Sequence, residues 1–246
     1  LAAAGTAPAR TLVRASEALK VDADYDNRRG YDEAFIPGTV VALPTMTTSL
    51  RREIAPLRGN ETGAASGLLR YEHFSLLLHK TRRIAIFTAT NIDGATYLSV
   101  DRQSGQVGDS EGEKWFKDTR VSDAYTLNQD FYSAWSDYFD RGHLTRRTDP
   151  TWGSATEAER ANADTFHFAN CSPQHFRFNQ TAKFWQGAER YVLENGLLAG
   201  ESGKRICVIQ GPIFNDTIDL WADDVQIPSS FFKIVAWRGA TSLKAV

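Results

Sequence analysis

The chain changes texture at Tyr71. From Tyr71 to His79, and again from Arg83 to Asn91, apolar and β-branched residues run almost unbroken, interrupted only by Lys80-Thr81-Arg82. Two such runs about a short polar break predict a hairpin or adjacent antiparallel strands. The turn signal Asn91-Ile92-Asp93-Gly94 introduces a third predicted strand, Ala95 to Val100. Further on, Arg205 to Gln210 predicts a continuous apolar strand closed by Gly211-Pro212, and Phe231 to Trp237 predicts another. Helical spacing occurs in two places. Between Ser154 and Asp164 the Ala/Glu/Arg text follows a capping serine. From Thr181 to Leu197, Ala182, Trp185, Ala188 and Val192 recur at steps of three and four, so one face packs inward, and Gly196 marks the end.

The remaining segments connect these elements. Tyr31 to Pro44 predicts a turn and a short strand closed by Pro44, and Leu50 to Gly67, with Gly59, Asn60 and Gly63, predicts a surface connection. Gln103 to Asp140 is rich in Gly, Ser, Asp and aromatic residues, as loops that carry function over a rigid scaffold are. The pattern predicts an α+β fold with a central antiparallel sheet flanked by helices. No internal repeat or low-complexity tract is present.

Length and charge narrow the reading. A chain of 246 residues suits one domain, taken as residues 21–246 after a lead-in or linker remnant at 1–20. The absence of a signal-peptide pattern and the first residue, Leu1, suggest a processed or excised chain with room for a further domain before it. The sequence leaves the compartment and oligomeric state open, and a homodimer is compatible with it. No apolar run approaches the roughly 20 residues of a membrane span. A net charge of −2 gives no global basic excess, so any nucleic-acid surface must be local. Cys171 and Cys207 admit one bridge or two thiols; a domain of this size does not need a staple, which favours free, buried thiols.

The chemistry concentrates in Asp140-Arg141-Gly142-His143. Phosphodiester hydrolysis needs an activated water, charge stabilisation at the phosphoryl oxygens and help for the departing oxygen. An imidazole titrating near neutrality suits the first task, which makes His143 the candidate general base. In an extended stretch Arg141 shares its side of the strand and presents a guanidinium fork to the phosphate. Gly142 permits close backbone approach, and Asp140 could anchor the turn or orient Arg141. Downstream, Asn179 offers an amide oxygen for magnesium, with a helix-capping role compatible with that, and Glu189 could hold a metal-bound water. Arg146, Arg147 and Lys183 are candidate nucleic-acid contacts. His73, His79, His167 and His175 are read as structural histidines. Two other readings stand beside the nuclease: a nonenzymatic nucleic-acid-binding or scaffold domain, and a zinc hydrolase built from His143, His167 and His175.

Asp140-Arg141-Gly142-His143-Leu144, followed in order by Asp164-Thr165-Phe166, Asn170-Cys171-Ser172-Pro173-Gln174, Phe178-Asn179-Gln180 and Trp185 with Glu189, resembles the DNA/RNA non-specific endonucleases, relatives of mitochondrial endonuclease G. The resemblance runs from about Tyr31 to Lys233 and takes in Gly211-Pro212-Ile213-Phe214 and Ile227-Pro228. It implies a ββα-metal active site, a Mg2+ or Mn2+ requirement, and cleavage of DNA and RNA to 5′-phosphate ends. It puts the base on His143, the phosphate-side arginine on Arg141, the metal-binding asparagine on Asn179 and the outer-shell glutamate on Glu189. Two departures stand out. The stretch from Asn179 to Trp185 is about two residues longer than in relatives, which makes Gln186 a rival to Glu189. The family's upstream phosphate-binding arginine has three candidates here, Lys114, Lys117 and Arg120, of which Arg120 is favoured.

Overall fold

The apolar runs become strands that pair by register into one sheet. The computed structural model describes residues 12–13, 21–58, 67–100, 115–175, 205–239 and 243–245. In chain order the strands among them are β1 (Leu12–Val13), β2 (Leu68–Tyr71), β3 (Phe74–Leu78), β4 (Ala85–Asp93), β5 (Ser99–Val100) and β6 (Phe139–His143). They continue with β7 (Cys171–His175), β8 (Arg205–Ile213), β9 (Leu220–Ala222), β10 (Val225–Ile227), β11 (Ser230–Arg238) and β12 (Leu243–Ala245). The α-helices are α1 (Thr48–Arg52), α2 (Gln129–Ala134) and α3 (Ala155–Thr165). Six strands form an antiparallel sheet in the order β12-β11-β8-β4-β3-β2, while β6 and β7 form a separate ribbon. This is the expected α+β architecture. Among the described residues no helix is long and apolar enough to cross a membrane.

A bulge divides the two faces of the sheet. Leu77 pairs with Phe87 but Leu78 pairs with Ala85, so Ile86 is the extra residue in β4. A bulge reverses which side chains face which way. Before it, Ala85 packs with Leu69, Tyr71, Phe74, Leu76 and Leu78, in the core cluster that also holds Leu144 and Ala169 beside the ribbon. After it, Phe87 and Ala89 join Phe35, Ile36, Leu77, Cys207 and Ile209 in a second cluster. Thr88 and Thr90 are thereby turned the opposite way from Phe87 and Ala89, and Thr90 Oγ1 lies 2.8 Å from Thr145 Oγ1, just past the end of β6.

Four boundaries differ from the sequence expectation, each for a local reason. Tyr71 to His79 is not one strand: Glu72 and His73 form a tight turn between β2 and β3, with His73 at φ 66°. That left-handed conformation, uncommon outside glycine, is held by His73 Nδ1 donating to Pro150 O (2.8 Å) and by the ring stacking on Trp152. Ala95 to Val100 shrinks to β5, which pairs in parallel with β1 and stands outside the main sheet. Tyr31 to Pro44 forms no strand; side chains satisfy its backbone instead, with Tyr31 N donating to Ser75 Oγ, Leu43 N to Glu33 Oε1 and the Tyr31 hydroxyl to Val41 O. Finally β8 runs through Gly211-Pro212 to Ile213. Beyond Gln210 it is paired with β11 alone, so Pro212 removes no donor from a bond to β4. A Cβ at Gly211 would lie 2.6 Å from the carbonyl of Ile86, the bulged residue.

The capped helix follows the sequence closely. In α3, Ser154 accepts from Glu157 N while the Glu157 carboxylate accepts from Ser154 N, closing a capping box. Cys171 and Cys207 are free and buried, and burial pushes the Cys171 thiol up to about 12, which leaves it inert. The helix expected at Thr181 to Leu197 lies outside the described residues.

Candidate active site

The tetrad occupies the last four residues of β6, whose partner β7 is the Cys-Ser-Pro-Gln-His segment. The antiparallel register sets Asp140 against Gln174, Arg141 against Pro173, Gly142 against Ser172 and His143 against Cys171. Alternation then gives one face to Arg141 and His143 and the other to Asp140 and Gly142. The face bearing Gly142 turns inward, where Ser172 and Gln174 are fully buried. The approach is close: a Cβ on residue 142 would sit 2.3 Å from Gln174 Cδ and Oε1, so any larger residue must displace that side chain.

Asn170 fastens the open end of the ribbon. Its carbonyl accepts from Leu144 N (2.9 Å) and its Oδ1 accepts from Thr145 N (2.8 Å). Its amide group donates to the carbonyls of Thr145 and Thr165, each at 2.9 Å. The side chain thus behaves as an extra rung of backbone, and every bond is buried. Gln210, in the middle of β8, donates to Leu144 O and ties the same end to the sheet.

The two functional candidates have different surroundings. His143 is half-buried against aromatic rings, with the Trp115 centroid at 4.6 Å and Phe166 meeting it edge-on at 5.0 Å. Arg141 is also half-buried, and its Nη1 donates to Gln129 Oε1 at 2.8 Å. Gln129 in turn donates from Nε2 to Ser133 Oγ at 2.9 Å, so α2 steadies the arginine.

The model of the DNA/RNA non-specific endonucleases matches residues 56–245, which includes the whole ribbon. The chain belongs to that family. It is also similar, at 37% identity over 86% of its length, to an uncharacterized protein, y4fB, of Sinorhizobium fredii, and covers 31% of that protein. Mitochondrial nuclease EXOG of Danio rerio is 26% identical over 76% of this chain and 52% of its own length. Human mitochondrial endonuclease G is 27% identical over 42% of this chain and 34% of its own. The chain therefore spans between about a third and a half of these relatives.

Within this family frame, several expected site residues turn out to be committed elsewhere. Arg120 donates through Nε and Nη2 to both oxygens of Asp118 and through Nη1 to Arg70 O. Its guanidinium also lies 3.8 Å from the Tyr25 centroid and 4.9 Å from that of Tyr71. Burial would raise the Asp118 carboxyl, but the Arg120 fork overrides it and holds the group below its ordinary value. The Arg120 guanidinium, expected near the phosphate, is thus shared among Asp118, Arg70 and the two tyrosine rings. Arg147 donates to Val100 O and Asn162 Oδ1, bracing β5 against α3. Arg146 lies 4.0 Å from Asp149 and is partly exposed, and Lys117 pairs with Asp123 at the surface.

The histidine triad of the zinc reading does not converge. His167 is buried, its Nδ1 donates to Asp164 O and its Nε2 accepts from the Tyr25 hydroxyl. Both ring nitrogens are spent, and burial lowers its pKa. His175 pairs with Phe139 at the far end of the ribbon from His143, four residues or roughly 13 Å along the strands. Asp164 of the family motif is structural too, accepting from Arg28 Nε (2.6 Å) and Glu72 N (2.8 Å). Asn179, Lys183, Gln186 and Glu189 lie outside the described residues. Sequence reasoning missed Trp115 and Gln129, which carry no local signal; it quoted Phe166, Asn170 and Gln174 without giving them tasks.

Proposed function

We propose that this chain hydrolyses phosphodiester bonds of both DNA and RNA to 5′-phosphate products, with His143 as general base and Arg141 as the phosphate clamp. The observation that supports this most is their common ribbon face. Two residues apart on a strand, the side chains stand roughly 7 Å from one another, a span that lets one take a proton from water while the other holds a phosphoryl oxygen. Trp115 and Phe166 confine the imidazole, so little reordering precedes proton transfer. Asp140 points with Gly142 to the inward face and acts through the ribbon rather than at the phosphate. Arg146 and Lys183 extend the contact along the strand. Because such contacts reach phosphates rather than base edges, little sequence preference is expected.

The donor chemistry fits a hard, hydrated cation. Among the described residues no group of three or more His, Cys, Asp or Glu could hold a metal. The proposed ligand is instead the amide oxygen of Asn179, with Glu189 or Gln186 holding a bound water, a sparse oxygen set that suits Mg2+ or Mn2+. When bound, the cation would offset negative charge on the phosphoryl and departing oxygens.

The test is cleavage of supercoiled plasmid and of RNA by the purified chain, with divalent ions and with chelator, for wild type and His143→Ala. Wild type should cut both polymers and stop on chelation, while the variant should lose at least a hundredfold in rate with its melting curve retained. A folded variant that still cuts at the wild-type rate refutes the base assignment, and a wild type that binds but never cuts refutes the activity.

A further inference from the structure

On the ribbon face Arg141 meets a second element of the fold. Its Nη1 donates to the side-chain oxygen of Gln129, the first residue of α2, whose own amide is held by Ser133. The interaction is at the surface and joins residues 12 apart in sequence, so neither core packing nor the strand ladder demands it. A guanidinium aimed by a carboxylate would be held more firmly, because a charged acceptor strengthens the bond. It would also lose much of its attraction for an anion. The amide at residue 129 aims the fork without cancelling charge through that contact.

We propose that Gln129 is a positioning residue for substrate phosphate: it orients Arg141, and its neutrality preserves the positive potential that Arg141 offers. The inference rests on the assignment of Arg141 as phosphate clamp. It also has a consequence that a scaffolding role for Gln129 would not have. Glutamate at this position keeps the acceptor oxygen and suits the first turn of a helix, where negative charge is favourable. Its carboxylate, however, would neighbour the phosphate that the clamp holds. In partly screened surroundings that repulsion is on the order of tenfold in binding.

The experiment compares Gln129→Glu, Gln129→Ala and Arg141→Ala in steady-state cleavage across a salt series, with a thermal melt of each. Arg141→Ala should lose activity and flatten the salt dependence by about one phosphate contact. Gln129→Ala should lose a few-fold. Gln129→Glu should lose about tenfold or more in kcat/KM, fall below Gln129→Ala, and melt no lower than wild type. That opposition between activity and stability separates positioning from support, which would move both together and rank Glu above Ala. Gln129→Glu cleaving as well as wild type, or better than Gln129→Ala, while Arg141→Ala is impaired, overturns this inference and leaves the clamp assignment intact. An unimpaired Arg141→Ala overturns the clamp assignment itself.

Discussion

Replacing Gly142 by alanine adds one methyl group where the ribbon has no room for it. The new Cβ would lie 2.3 Å from Gln174 Cδ and Oε1 and 2.6 Å from its Cγ. Carbon atoms in contact sit about 3.5–4.0 Å apart, so either Gln174 must move by more than an ångström or the two strands must part. Gln174 is 1% exposed and cannot swing into solvent. Overpacking of this kind costs about 1–3 kcal/mol, against which alanine recovers roughly 0.5–1 kcal/mol of the flexibility that glycine loses on folding. The net loss is centred on about 1 kcal/mol, or a fall in Tm of roughly 2–4 °C for a domain of this size. Activity should suffer more, because Arg141 and His143 flank the inserted methyl and a displacement near 1 Å can cost about a hundredfold in rate. The decisive assay is a double-mutant cycle with Gln174→Ala, read by thermal or urea unfolding and by plasmid cleavage. Removing the glutamine's outer atoms should let the methyl in, making the double variant more stable than the two single losses summed. Additive losses, or a Gly142→Ala protein that melts and cuts like wild type, would refute the close-packing argument.

How much of this was legible depended on the reach of each interaction. The tetrad's shared face was readable because strand alternation is local, and β6 is indeed extended with Arg141 and His143 two residues apart. The capping serine at Ser154 was readable for the same reason. The turn at Glu72-His73 was hidden because an apolar run gives no sign of a positive φ; Pro150 and Trp152, nearly 80 residues away, help to hold it. Tyr31 to Pro44 has strand-like composition but no strand beside it to pair with, so Glu33 and Ser75 complete its bonds. Arg120 looked available as a cation, and nothing near it in sequence except Asp118 hinted that Tyr25, Tyr71 and Arg70 would enclose it. At the site, Trp115 and Gln129 were invisible because they meet His143 and Arg141 only after the chain has folded around the ribbon.

Two further outcomes follow from the buried polar groups that support the ribbon. Asn170→Ala leaves Thr145 N without its acceptor and two buried carbonyls without a donor, which should cost roughly 2–4 kcal/mol in urea unfolding. Asn170→Asp turns a second acceptor toward those two carbonyls in a fully buried site and should be no more stable than alanine; a full-strength Asn170→Ala would show that the end of the ribbon is held by something else. The second outcome concerns pH. Burial lowers the His167 pKa from its ordinary 6.5, against the hydrogen bond to Asp164 O, which favours the charged ring, while the Tyr25 hydroxyl donating to Nε2 suits the neutral one. Above pH 6.5 neither folded nor unfolded chain is protonated there, so the stabilisation is fully present; as pH falls from 6.5 toward the folded value the unfolded chain alone takes up the proton. His167 should therefore remove up to about 1.4 kcal/mol of stability per pH unit across that window, and His167→Gln, although less stable at neutrality, should lose that share of the slope. Parallel stability–pH curves for the two proteins would mean that His167 is protonated equally in both states, and that burial does not hold it neutral.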